Sequence, residues 1–240
     1  MGMTRNIVLL VLTAACMAAQ NRPVERATAY LEAGQDREAE TALREAHPVP
    51  SDGLPRAEFL NASSALLIKR GQLQQAEEEL LEAQRIAAPL ADAADLRPTL
   101  LHNLAAVEMR TARYAEALGH EREAMRQWTE TLASDDPNLI RAAASMASLC
   151  YIMGDARQAR EQMHRALDAA EHRYGPAHPL LAGLLDSDAL ILEKLKMKKQ
   201  AQRERARARQ IRGTAAPSGS QSATWNVHES TSQTVYLYSK

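Results

Sequence analysis

The sequence predicts an all-α chain, an α-solenoid of about five antiparallel helical hairpins, and three observations predict it. Alanine runs through all 240 residues, while Gly and Pro number ten each and the aromatics are two Trp, six Tyr and one Phe. That composition favours helix over sheet. Second, Gly34, Gly71, Ala112 and Gly154 are each followed five residues later by Ala39, Ala76, Ala117 and Ala159, and seven residues further on by Ala46, Ala83, Ala124 and Ala166. A fifth copy keeps both alanines, Ala201 and Ala208, with Lys196 at the turn. Third, twelve residues before each first alanine stands another small residue: Ala27, Ser64, Ala105, Ala147 and Ala189. The copies are spaced by 37, 41, 42 and 42 residues, a period that marks a stacked repeat.

Taken in order, the first element is a secretory signal over 1–19. Arg5 precedes the apolar run Ile7 to Leu12, and small residues around Cys16, Ala18 and Ala19 allow a cut after Ala18 or Ala19. The run is too short to span a bilayer as a mature helix, so the chain is expected to be exported, periplasmic or secreted. Cys16 is also a candidate lipid-bearing cysteine of an outer-membrane lipoprotein, although Thr13 stands where that signal carries Leu. If the cut falls beyond Cys16, Cys150 is alone and no intramolecular disulfide forms.

The repeat domain is expected over 20–212. Two alanines seven apart lie on one helix face, two turns along, so each copy reads as a hairpin whose helices approach closely at Ala or Ser. Gly34, Gly71 and Gly154 sit where the first helix ends and the chain reverses, a place for positive φ. Pro23, Pro55, Pro98, Pro137 and Pro179 open the first helices, with Asp136 as a cap before Pro137. Leu60, Leu66, Leu67, Leu80, Leu101, Leu104, Val107, Leu149, Leu185 and Leu192 supply the stripe that hairpins bury against one another.

These residues resemble the tetratricopeptide repeat, and the period of about 42 is similar to the longer kinesin-light-chain-like variant. Leu100-Leu101-His102-Asn103-Leu104-Ala105 and Tyr114-Ala115-Glu116-Ala117 resemble its "L-N-N-L-A … Y-x-E-A" run, and Gly175-Pro176-Ala177-His178-Pro179 resembles its "G-x-x-H-P" linker. The resemblance covers about 23–210 and departs at Glu108 and Glu121, which replace apolar positions, at Ala112, which replaces the turn glycine, and at Arg205, which stands where Leu43, Leu80 and Met163 stand. It implies a concave groove lined by first helices, where the asparagine of "N-L-A", here Asn103, contacts a ligand backbone. Lys69, Arg110 and Arg141 are expected beside it, with His102, Met109 and Tyr151, a set suited to an acidic or carboxylate-bearing segment.

The partner is therefore expected to be a protein or peptide, bound without catalysis and without a cofactor. No H-x-x-x-H pair, Cys cluster, phosphate-cradling glycine loop or G-x-S-x-G elbow occurs in the sequence, so metal sites, nucleotide cradles and hydrolase chemistry lack support. Cys150 falls where Tyr30, Leu67 and Leu192 fall in their copies and reads as a buried small hydrophobe. Lys+Arg of 29 against Asp+Glu of 30 gives a net charge of −1, so no overall bias draws nucleic acid or membrane. The basic stretch 194–212 is the local exception, read either as a solvated capping helix or as a contact for anionic lipid or an acidic partner. The tail, 213–240, begins as a Ser/Thr/Gly linker and ends in β-forming stretches at Trp225 to Val227 and Thr234 to Tyr238.

Overall fold

The computed structural model describes residues 23–31, 33–47 and 49–214. The expected signal with Cys16 and the tail beyond Thr214 lie outside the described residues. Every regular element among these is helical: α1 (23–31), α2 (Asp36–Glu45), α3 (Gly53–Lys69), α4 (Leu73–Ala87), a 3₁₀ turn (Ala91–Ala93), α5 (Leu96–Arg110), α6 (Tyr114–Thr131), α7 (Pro137–Ile152), α8 (Ala156–Tyr174), α9 (Pro179–Lys194) and α10 (Lys198–Thr214). They form five hairpins, α1/α2 to α9/α10. The chain divides between Leu96 and Arg97 into two compact units, the first holding α1 to α4 and the second α5 to α10.

One turn closes all five hairpins. The residue at the reversal has positive φ in each copy: Gly34 (72°), Gly71 (77°), Ala112 (62°), Gly154 (93°) and Lys196 (64°). The next amide reaches back to a carbonyl five residues earlier, Gln35 to Tyr30, Gln72 to Leu67, Arg113 to Glu108, Asp155 to Cys150 and Met197 to Leu192, all at 2.8–2.9 Å. This bond ends the first helix and satisfies one of its orphan carbonyls. Glycine adopts the conformation freely, whereas Ala112 and Lys196 hold it against a steric cost.

The recurrent small residues sit at the closest helix contacts. Ala39, Ala76, Ala117, Ala159 and Ala201 are all 0% exposed, and Ala27, Ser64, Ala105, Ala147 and Ala189 are no more than 1%. Larger apolar side chains fill the space around them: Leu60, Ile68 and Leu80 in the first unit, and Leu100, Val107, Leu149, Leu181, Leu184, Ile191 and Leu192 in the second. Ala124, Trp128 and Ala142 form a core patch covered by Leu101, Met125, Leu132 and Leu139. Within the first unit, ion pairs of Lys69 with Asp36 and of Arg70 with Glu40 tie α3 to α2, and Arg56 meets Glu82 of α4 at 3.0 Å.

Caps set where the second unit's helices begin. Asp136 accepts from the Asn138 amide at 2.8 Å and Pro137 opens α7; His178 Nδ1 accepts from the Leu180 amide at 3.3 Å and Pro179 opens α9. The His178 ring also stacks on Tyr174, centroids 4.7 Å apart, and clamps the linker between α8 and α9. Arg205 does not enter the core as Met163 does. It bonds both oxygens of Glu193, and α10 closes the second unit through Ala201, Ala208 and Ile211 instead.

Candidate functional site

The first helices of the second unit combine burial with polarity in a way their apolar packing does not need. Two residues before the small contact position stand Asn103 in α5, Ser145 in α7 and Ser187 in α9, and these are 7%, 1% and 2% exposed. The register is the same in all three copies. The Ser145 hydroxyl has no hydrogen-bond partner among the described residues, which is costly for a buried donor. One turn earlier in the same register lie Thr99 and Arg141, both buried, and Arg141 donates to the Asn138 side-chain oxygen. Arg110 ends α5 half-buried. The chemistry assembled on these helices is amide, hydroxyl and guanidinium, suited to hydrogen bonding with a peptide backbone or a carboxylate.

The expected groove residues fall in several places. Asn103, Arg110 and Arg141 belong to α5 and α7 as anticipated. His102, expected beside them, is a core residue at 2% exposure: its Nδ1–H faces the Glu121 carboxylate at 2.9–3.0 Å, and its ring lies 5.7 Å from that of Trp128. The helix turns it toward α6 because Glu121, 0% exposed, has to be matched there. Met109 is likewise buried, at 3%. Tyr151 sits at the α7 turn, where Lys194 Nζ donates to its carbonyl at 3.0 Å and lies 4.5 Å from its ring centroid. Lys69 lies in the first unit, engaged with Asp36; burial pushes its pKa down and Asp36 works the other way.

The departures Glu108 and Glu121 explain each other. Each buried acid faces a histidine of the opposite helix in the same hairpin, Glu108 with His120 at 2.8 Å and Glu121 with His102. A third buried acid gave no signal in the sequence analysis. Asp188 of α9 is 0% exposed, and Arg160 of α8 stands 3.3 Å away without an alignment that makes a hydrogen bond. Burial raises its pKa to about 6, against the opposing pull of Arg160. Asp188 was legible in principle, since the repeat alignment places it where Leu104 and Met146 stand in the two preceding copies.

Cys150 is 1% exposed, and its thiol points to the Gln158 side-chain oxygen at 3.1 Å. Burial pushes its pKa up, the opposite of what a nucleophile needs. Among the described residues no group of three His, Cys, Asp or Glu could hold a metal ion, and no helix is long and apolar enough to cross a membrane.

Hairpins of this register, turn and close small-residue contact define an α-solenoid repeat protein. Residues 96–172 match the model of the tetratricopeptide repeat, and the fold is of the tetratricopeptide-like, kinesin-light-chain-like kind. The chain is similar to BtubC (BKLC) from P. vanneervenii, with 19% identity and a TM-score of 0.65 over 86% of this chain and 94% of that one. It is similar, at 20% identity and a TM-score of 0.62, to the nearly identical TPR-like repeats of a Podosopora anserina protein described as a putative kinesin light chain, over 84% of this chain and 99% of that one. MamA of MSR-1 matches at 15% identity and a TM-score of 0.52, over 82% of this chain and 99% of that one. No curated protein matches the chain by sequence. At these identities the likeness is one of fold.

Proposed function

We propose that the chain is a non-catalytic scaffold that holds an extended peptide or a partner helix, acidic or ending in a carboxylate, against the first helices of its second unit. The observation that carries this is the row Asn103, Ser145 and Ser187, polar at one register position in three consecutive copies and buried among alanines and leucines. The Ser145 hydroxyl has no hydrogen-bond partner among the described residues, and a peptide main chain offers donors and acceptors to such a row. Arg110 and Arg141 add guanidinium groups on the same helices, fitted to carboxylate.

The test is affinity capture with the full chain beside an Asn103→Ala, Arg110→Ala variant. Loss of the same captured protein from the variant is the expected result, and undiminished recovery counts against the site. Export belongs to the same proposal, resting on the order of Arg5, the apolar run and the small residues. An intact-mass measurement of the mature amino terminus should show residues through Ala18 or Ala19 removed. A terminus at Cys16 with an added acyl mass would make it a membrane-anchored assembly factor instead, and a retained segment 1–19 would make it a cytosolic regulatory module.

A further inference from the structure

The nine basic residues between Lys194 and Arg212 divide into two sets. Lys194, Arg205, Arg207 and Arg212 are spent inside the second unit, on the Tyr151 carbonyl, Glu193, Glu171 and Asp186. Lys196, Lys198, Lys199, Arg203 and Arg209 are all exposed, and no ion pair engages them among the described residues. The buried side of α10 is Ala201, Ala208 and Ile211, and successive residues advance by 100°. Lys198, Lys199, Arg203 and Arg209 therefore flank the outward strip of Gln202 and Ala206, over about 17 Å of helix.

This sorting is peculiar to the last helix. The outward faces of the other second helices in this unit mix signs: Arg126 is bridged to Glu123 and Glu130 on α6, and Arg165 to Glu161 on α8. The one acid of α10, Glu204, is half-buried on the side toward Asp188, whose ionisation it disfavours. A capping helix needs only a polar exterior, which mixed charge provides. A group of five exposed cations with no acid on the outward side of α10 goes beyond that.

We propose that the outward face of α10, with the α9–α10 turn, docks on an anionic lipid surface. The outward side of α10 carries no aromatic platform for bases among the described residues, and its spread of cations fits a diffuse sheet of negative headgroups. Met197, 39% exposed between Lys196 and Lys198, supplies an apolar tip at the end nearest the turn. The net charge of the whole chain is −1, so the attraction is local and sets which end of the second unit meets the surface.

Co-sedimentation of the full chain with phosphatidylcholine vesicles, with and without phosphatidylglycerol, tests it. The expected result is binding that requires phosphatidylglycerol, falls in half-molar salt, and weakens at least about 25-fold in a Lys199→Glu, Arg203→Glu variant, from about five-fold per cation removed. Neutralising Lys198, Lys199, Arg203 and Arg209 to Gln should act in the same direction, and serves if the reversed charges impair folding. An Arg205→Gln, Glu193→Gln double variant, which leaves the net charge unchanged, should leave binding within about two-fold, because that pair is already neutral. The dependence on phosphatidylglycerol and on α10 separates this contact from any partitioning of the apolar run at 7–12. Equal binding to both vesicle types, indifference to the α10 variants, or tighter binding to a duplex oligonucleotide than to the anionic vesicles would overturn the proposal.

Discussion

Hairpins α5/α6 and α9/α10 both bury a carboxylate, and they treat it in opposite ways. In α5/α6 the acid and its partner come from the two helices of one hairpin, so the alanine contact that spaces the helices also fixes the 2.9–3.0 Å approach of His102 to Glu121. In α9/α10 the buried Asp188 looks outside its own hairpin to Arg160 of α8, 3.3 Å away and misaligned. Within its repeat Glu121 makes a hydrogen bond with His102, whereas Asp188 makes none with Arg160, and burial raises the pKa of Asp188 to about 6.

The largest effect should come from breaking the matched pair. His102→Ala leaves the Glu121 carboxylate buried without its side-chain partner and should lower stability by about 3–5 kcal/mol, read from urea unfolding. The double variant His102→Leu, Glu121→Leu should recover most of that loss, because two apolar groups need no match. If the double variant is as unstable as the single one, the pair does more than satisfy a buried carboxylate.

Next is the unmatched acid. Its folded-state pKa of about 6 lies above the ordinary 3.8, so the folded chain holds more protons than the unfolded one between the two values. Asp188 therefore costs the wild-type chain stability as pH rises through that window, and the loss is complete above about 7. Asp188→Asn should be more stable than wild type by up to about 3 kcal/mol at pH 8, with the gain shrinking toward nothing near pH 4. Melting temperatures across that range check it, and a pH-independent difference would mean that Arg160 matches the acid well after all.

The smallest effect sharpens the comparison from another side, since these same two hairpins lack glycine at the turn. Ala112→Gly and Lys196→Gly should each raise stability by about 1 kcal/mol by relieving a left-handed non-glycine residue. Gly71→Ala should cost about as much in the first unit. Denaturation midpoints of the three variants suffice.

The hairpins were legible because their determinants are local. A turn residue, an alanine five later and another seven beyond that are readable along the chain, and the structure holds all five copies to one turn bond and one contact. The Asp136 cap before Pro137 is equally local. The candidate site was less legible. Asn103 was visible through the family motif, but His102, its neighbour in sequence, is turned toward α6, and nothing in the motif says that Glu121 nineteen residues on meets it. Ser145 and Ser187 pass as ordinary helix residues until their shared burial sets them apart.

The amino-acid sequence by itself determined the repeat, its period and the places where helices end, because backbone conformation and close helix approach depend on residues within one or two turns. Only the tertiary structure decided which charges are matched, since burial and pairing depend on side chains brought together from different helices. That is why nine cations near the carboxyl terminus look alike in sequence, while packing assigns four to partners in the second unit and leaves five facing outward.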